Sequence, residues 1–139
     1  MLQFLFDTDH LTLFQHGHPK VLQRLASQPT GSVGVTIITM EEAVRGRLAR
    51  VSRARTGLAR VQAYSNLLAT WHALQQFLIA AYDASCEIEF QKLRALRLRI
   101  GSRDQKIAAV TLAGKLTLIT RNRGDFSQIP NLVIQDWST

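Results

Sequence analysis

The chain has 139 residues, 46% of them hydrophobic and 19% charged, which excludes a disordered polypeptide and predicts one domain over residues 1–139. Its formal charge of +7 favours an anionic partner such as nucleic acid or an acidic protein segment, although many basic domains bind neither. A single cysteine, no signal peptide and no apolar run near the roughly 20 residues of a membrane span together predict a cytoplasmic protein.

The first predicted elements are a strand and two short helical segments. Residues 2–6 are an apolar run that ends at Asp7, which predicts a buried strand. Residues 10–15 then begin a helix or a turn. Pro19 suits the first turn of a helix over residues 20–27, because proline there loses no hydrogen bond that the helix would make.

A second strand and a long helical region are predicted next. Residues 33–38 are apolar and β-branched, which favours another buried strand. Thr39 and Glu42 have the spacing of a capping box, so we expect a helix to begin at Thr39. Two helices, broken near residues 56–57, are expected to fill most of the span 43–82.

The chain is then predicted to return to the sheet and to leave it again. Residues 77–82 are apolar and favour a third strand. Asp83 and Ser85 indicate a turn and a helix N-cap. Residues 87–100 have helical spacing, and four side chains are expected on one face: Ile88, Leu93, Leu96 and Ile100.

The last third of the chain predicts one buried helix and two strands. Ser102 is expected to cap a helix over residues 104–113, whose alanine and isoleucine content predicts burial. Residues 116–120 and 133–134 predict the fourth and fifth strands. Strands that alternate with helices predict a parallel sheet of four to five strands with helices on both faces, which is a three-layer α/β/α fold.

Four of the ten acidic residues are predicted to meet at one edge of this sheet. Asp7 follows strand one, Glu42 lies just after strand two, and Asp125 lies past strand four. Asp104 opens the helix that leads into strand four, so it is expected at the same edge. Because the site of a parallel α/β sheet lies beyond the carboxyl ends of its strands, these four residues are the candidate catalytic group.

Carboxylates that meet in this way repel each other unless a cation lies among them. Mg²⁺ or Mn²⁺ suits oxygen ligands, and Mg²⁺ usually binds one or two carboxylates directly, here Asp7 and Asp104. Such an ion can orient a phosphodiester, activate water and stabilise the leaving oxygen. Each acid alone also has an ordinary explanation, as a turn, cap or helix-dipole residue. The set is more specific than its members, and it predicts a metal-dependent phosphodiesterase.

Four collinear stretches of the chain carry a resemblance to a known family. They are the opening strand with Asp7-Thr8-Asp9, the T-x-x-E-x-x-x-G segment from Thr39 to Gly46, the D-x-x-I-A-A segment from Asp104 to Ala109, and the C-terminal stretch with Thr120-x-Asn122 and Asp136-Trp137. They resemble the PIN-domain nucleases and, within them, the VapC toxins of bacterial toxin–antitoxin pairs. The resemblance implies a PIN-like fold, divalent-metal cleavage of tRNA or another structured RNA, a homodimer and an antitoxin partner.

The resemblance also assigns site positions. Asp7, Glu42 and Asp104 map onto the acidic positions of the family, and the fourth position falls either at Asp125 or at Asn122. Three residues are expected to support these carboxylates without being the main ligands: Asp9, Thr120 and Asn122.

A basic stretch without acidic residues follows Glu42. Four of its arginines are predicted to contact RNA phosphates beside the site: Arg45, Arg47, Arg50 and Arg53. The alternative is a solvated helix face or an antitoxin contact. Three aromatic residues in the same region are expected in the core or in a dimer interface rather than stacked on bases: Tyr64, Trp71 and Phe77.

The sequence leaves two other functions open. An Asp-x-Asp pair after a first strand is also typical of haloacid dehalogenase-like phosphatases, but His10 and Leu11 stand where that family has a glycine–threonine pair. A PIN fold that binds RNA or a partner without cleaving is the second alternative. Such a protein does not need the acids of a catalytic site. This chain has all of the acids that matter, which argues against a degenerate site.

Overall fold

The centre of the protein, in a computed structural model that describes all 139 residues, is a five-stranded parallel sheet. Its strands are β1 (Phe4–Phe6), β2 (Val33–Thr36), β3 (Leu78–Ala80), β4 (Thr117–Ile119) and β5 (Val133–Gln135). They lie in the order β3-β2-β1-β4-β5, and every neighbouring pair is parallel. The predicted parallel α/β fold is therefore confirmed.

Seven helices connect and cover the strands. They are α1 (Thr8–Gln15), α2 (Pro19–Ala26), α3 (Ile37–Arg53), α4 (Gly57–Leu74), α5 (Ala84–Ala95), α6 (Ser102–Ala113) and α7 (Arg123–Phe126). The break predicted near residues 56–57 separates α3 from α4. None of the helices combines the length and the apolar character that crossing a membrane requires.

Alternate residues of the central strands belong to two buried clusters, as expected for a sheet covered on both faces. Leu5 and Leu118 pack in one cluster, to which α5 and α6 contribute most of the other side chains. Phe6 and Ile119 pack in the second cluster, which also contains Trp137 near the end of the chain. The central strands are thus held in place from both sides.

The predicted start of α3 is wrong by one turn. β2 ends at Thr36, and the β-branched residues Ile37 and Ile38 belong to the helix. The N-cap is Thr36, whose hydroxyl accepts the Thr39 N–H at 3.0 Å, so Thr39 lies within the first turn. A side-chain cap outweighs strand propensity here, because it satisfies a helix N–H that would otherwise lack a partner. Glu42 consequently lies one turn further into the helix than predicted.

The predicted boundaries and face of α5 are also wrong in part. The helix begins three residues earlier, because Asp83 caps it by accepting the Cys86 N–H at 3.1 Å. Ile88 and Leu96, which were expected on the same face as Leu93 and Ile100, are 58% and 51% exposed. Leu93 and Ile100 are buried, and Phe90 is buried with them.

α6 is the buried helix that the sequence predicts. Its N-cap is Gly101 rather than Ser102, and Ser102 is its first residue. Its buried residues include Ile107, Ala108, Ala109 and Val110, which pack in the cluster that also holds Leu5 and Leu118. Burial of this face fixes the helix against the sheet, with Asp104 in its first turn.

Candidate functional site

A pocket of about 350 Å³ brings together acidic residues that are far apart in the chain. Asp7 comes directly after β1, Glu42 comes from α3, and Asp104 comes from the first turn of α6. The remaining lining residues are Thr8, Asp9, Ile107, Arg121, Asn122 and Phe126. Three of the four predicted catalytic acids therefore face one cavity beyond the central strands.

Asp7 is held in place by backbone contacts on both sides. Its N–H donates to the carbonyl of Ile119 at 3.0 Å, which continues the pairing of β1 with β4. Its carboxylate Oδ1 accepts the N–H of His10 at 2.8 Å and caps α1. Asp7 is 7% exposed, so its carboxylate reaches the pocket from a nearly buried position.

Glu42 is tied to residues that neighbour the other two acids. The hydroxyl of Thr8 donates to Glu42 Oε1, and Arg103 Nη1 lies 3.4 Å from Glu42 Oε2. Because the Arg103 side chain is 46% exposed, this ion pair is expected to contribute little to stability. The ion pair instead helps to position Glu42, because it connects α3 to the first turn of α6.

Asp104 experiences the charge of the other acids. Burial raises the pKa of its carboxyl, and the carboxylates of Glu42, Asp125 and Asp7 raise that pKa further, whereas Arg103 lowers it. Asp104 therefore lies close enough to all three predicted partners to interact with them electrostatically. An arrangement of this kind favours a bound cation or a proton among the carboxylates.

Asn122 and Asp125, the two candidates for the fourth position, differ in their position relative to the pocket. Asn122 lines the pocket and Asp125 does not. The Asn122 side-chain amide donates to Asp125 Oδ2 at 3.0 Å, and Asn122 Oδ1 accepts the Asp125 N–H at 3.3 Å. Asp125 thus lies behind Asn122 but still acts on the pKa of Asp104.

Asp9 and Thr120 have different surroundings. Asp9 lines the pocket and accepts two hydrogen bonds from Arg121, at 2.6 Å from Nε and 2.9 Å from Nη2. These bonds raise the pKa of Arg121. Thr120 is fully buried outside the pocket lining, and its hydroxyl accepts the Asn122 N–H at 3.0 Å. Thr120 therefore shapes the loop that carries Asn122.

Sequence reasoning missed His10. One potential ligand atom from each of Asp7, Asp9 and His10 lies within 4.8 Å of the others, close enough to share a metal ion. The His10 side chain is fully buried, and its Nε2 accepts the N–H of Trp137 at 3.3 Å. The available signal was its position three residues after Asp7, which places both near one end of α1.

A second, larger cavity of about 500 Å³ adjoins the acidic pocket, and the two share Thr8 and Glu42. We call it the arginine groove. It lies between α1, α3 and α4, and Arg47 and Arg50 of the four predicted arginines line it. Arg47 Nε donates to the buried Thr70 hydroxyl at 3.0 Å, so its guanidinium is oriented.

The other two predicted arginines differ from these. Arg45 does not line the groove, and its guanidinium pairs at 2.6 Å with Glu41, an acid that lies just before the basic stretch. Arg53 lines a separate cavity that it shares with Arg50. The predicted phosphate-contacting set is thus reduced, on position alone, to Arg47 and Arg50.

α4 carries an exposed apolar stripe at helical spacing. Its residues are Leu58, Val61, Tyr64, Leu68 and Trp71, each at least 55% exposed. Phe77, in contrast, is buried in the core. A continuous apolar stripe on a surface helix is typical of protein–protein contact.

Comparison with known proteins yields relatives that match over nearly the whole chain, although no protein-family model matches it. The chain is 26% identical to the tRNA(fMet)-specific endonuclease VapC of Salmonella typhimurium, in a 141-residue alignment that covers 99% of both proteins. Its fold is similar to that of DNA-bound VapBC from the same organism, with a TM-score of 0.82 and 25% identity over 99% of each chain. DNA-bound VapBC2 of Rickettsia felis gives a TM-score of 0.74 and 26% identity over 98% of this chain and 99% of that chain.

Proposed function

We propose that this chain, which belongs to the VapC group of PIN-domain proteins, is a metal-dependent endoribonuclease and the toxin of a toxin–antitoxin pair. One observation carries the proposal: Asp7, Glu42 and Asp104 line a single pocket that adjoins the arginine groove. We further propose that residues 1–139 form one PIN domain. The similarity to a tRNA endonuclease makes tRNA the first substrate class to test.

The donor set fits a divalent cation such as Mg²⁺ or Mn²⁺. Carboxylate oxygens are the ligands that these ions prefer. The pKa of Asp104 is raised by burial and then by the negative charge of its neighbours, and a cation would neutralise that charge. We assign Asp7 and Asp104 as direct ligands, with Glu42 bound directly or through water and Asp125 or Asn122 at the fourth position. When bound, the ion would supply positive charge at the scissile phosphate and lower the pKa of an attacking water.

The residues of this chain have separate tasks in the proposed reaction. Thr8 and Arg103 hold Glu42 at the rim of the pocket. Arg47 and Arg50 bind phosphates of the RNA that flank the cleaved bond, because guanidinium groups match phosphate geometry. Binding along the groove places the next phosphate beside the acids, since the two cavities share Glu42.

Two protein partners are part of the proposal. An antitoxin partner is supported by the similar structures, which are VapBC complexes. The exposed apolar stripe of α4 supports a homodimer, because such a face is more stable when a second copy covers it. Sedimentation of the purified chain at several concentrations would test the dimer.

The proposed activity can be tested with purified protein and a set of tRNAs. We expect cleavage with Mg²⁺ or Mn²⁺, loss of cleavage in EDTA, and recovery when the metal is restored. Asp7→Asn should be inactive, whereas Arg45→Gln, outside both cavities, should cleave at nearly the wild-type rate. RNA binding without cleavage would support the non-catalytic alternative, and a covalent phosphoenzyme would support a phosphatase.

A further inference from the structure

His10 is a fully buried histidine that lies between two carboxylates. Its Nδ1 is 3.4 Å from Asp7 Oδ1, and its Nε2 is 3.6 Å from Asp136 Oδ1. Its ring packs against Phe6, with the ring centroids 5.7 Å apart. Nothing in the proposed reaction uses this side chain, so its placement beside Asp7 needs its own explanation.

The hydrogen bonds of His10 determine where its proton lies. Nε2 accepts the backbone N–H of Trp137 at 3.3 Å, so Nε2 carries no hydrogen. The single N–H of the ring must then be on Nδ1. Nδ1 is buried and makes no hydrogen bond. The carboxylate oxygen Oδ1 of Asp7 lies beside it at 3.4 Å.

We infer that His10 is a positioning residue, which holds Asp7 in the orientation that binds the cation. This inference rests on the proposed metal-dependent function. Both His10 Nδ1, at 3.4 Å, and the backbone N–H of His10, at 2.8 Å, lie beside Asp7 Oδ1. Asp7 Oδ2 receives no hydrogen bond from the protein, so it is the oxygen left for the ion. A histidine that holds a ligand carboxylate in this way belongs to the outer contacts that tune metal sites.

The C-terminal segment keeps the His10 ring in this orientation. Trp137 is 1% exposed and packs edge-on against Phe4 and Phe6, with ring centroids 5.2 and 5.5 Å apart. Its backbone N–H is therefore fixed in space when it donates to His10 Nε2. The contact gives the Asp136-Trp137 pair a role in the site, through His10, although neither residue lines the pocket.

The geometry argues against His10 as a direct metal ligand. The side chain is fully buried and does not line the acidic pocket. One nitrogen is already used by Trp137, and the other faces the carboxylate that lines the pocket. Of its two close neighbours in the potential ligand cluster, Asp9 is already bound by Arg121.

Two substitutions separate the Nδ1 contact from general packing. Asparagine places its amide nitrogen near the Nδ1 position, whereas the longer glutamine places it near Nε2. We expect His10→Asn to retain most of the Mn²⁺ affinity and His10→Gln to weaken it by about 10- to 100-fold, as outer contacts of metal sites typically do. The affinity is measured from the electron paramagnetic resonance signal of free Mn²⁺, with the exposed His72→Gln as the matched control.

The outcomes distinguish this inference from the proposed function. Wild-type affinity in His10→Gln, or equal losses in both variants, would overturn the positioning role while leaving the nuclease proposal intact. A wild-type protein that binds no Mn²⁺ would contradict the metal-dependent function and the positioning role together. Circular dichroism establishes that each variant is folded.

A measurement on the unaltered chain covers the case in which the variants do not fold. Nitrogen-15 NMR of labelled histidines should report the Nδ1–H tautomer for His10. Addition of Mg²⁺ should shift the His10 ring signals more than those of His72. An Nε2–H tautomer, or equal shifts for both residues, would overturn the inference.

Discussion

The acidic pocket and the arginine groove are neighbours that share Thr8 and Glu42, yet they carry opposite charge. In the pocket, burial and the neighbouring acids raise the pKa of Asp104. In the groove, Arg47 and Arg50 supply positive charge within a chain of formal charge +7. Net charge therefore attracts an anion to the protein, whereas a local reversal of charge determines where a cation can act on that anion.

The two regions also differ in how they are built. One acid follows β1 and the others lie on α3 and α6, so they meet only when the sheet and its covering helices are assembled. Arg47 and Arg50 are three residues apart on α3, so a single helix already places them on one side. The pocket is therefore a property of the tertiary structure, and the groove is largely a property of one helix packed on another.

The largest expected effect concerns the pocket. Asp104→Asn should lower RNA cleavage by at least about 100-fold, because metal chemistry supplies several kcal/mol and each 1.4 kcal/mol corresponds to tenfold in rate. RNA binding through the groove should remain. Single-turnover cleavage and filter binding of the same variant measure both, and a loss of binding equal to the loss of cleavage would contradict the separation of the two regions.

The second prediction concerns the groove. Arg47→Gln combined with Arg50→Gln should weaken RNA binding on the order of tenfold and lower the slope of affinity against salt by about one for each arginine. The double variant of Arg45 and Arg53 is the matched control, because it removes the same charge outside the groove. Equal effects in both double variants would show that only net charge matters.

A third, smaller effect follows from the raised pKa of Asp104. Burial and the neighbouring carboxylates raise the pKa of Asp104 above its ordinary value of 3.8, so the folded state favours the protonated form. The stability that protonation contributes is present at low pH and is lost as pH rises from 3.8 through the raised pKa. In EDTA at neutral pH, Asp104→Asn should therefore have a higher Tm than the wild type, by a few degrees.

Thermal unfolding between pH values below 3.8 and neutral pH measures this effect. The wild-type Tm should fall relative to that of Asp104→Asn as the pH rises. Divalent metal should raise the wild-type Tm and leave that of Asp104→Asn nearly unchanged. Parallel pH curves for the two proteins would contradict a raised pKa of Asp104.

The smallest expected effect is that of Asp9→Asn. The Asp9–Arg121 pair is exposed at the rim of the pocket, so water and salt screen it. We expect a slightly lower Tm at low ionic strength, no difference at high ionic strength, and far less loss of cleavage than in Asp104→Asn. A loss of cleavage as large as that of Asp104→Asn would show that Asp9 binds the metal directly.

Much of the fold followed from the sequence because apolar runs and breakers mark its elements. The five predicted strands and the predicted helices α1 to α6 match the structure in order, including the break before α4, whereas the short helix α7 was not predicted. The errors lie at boundaries such as the start of α3, where the Thr36 cap and not the β-branched Ile37 and Ile38 decides the helix start. Propensity describes residues one at a time, whereas a cap depends on the geometry of several.

The amino-acid sequence by itself determined which carboxylates follow strands or open helices, and therefore that Asp7, Glu42 and Asp104 lie at one edge. Their roles remain predictions. Only the tertiary structure decided that Asn122 lines the pocket in front of Asp125, that Arg45 is paired, and that His10 contacts Asp7. The physical reason is that chain direction and strand order follow from local pattern, whereas the partner of a side chain depends on packing between elements distant in sequence.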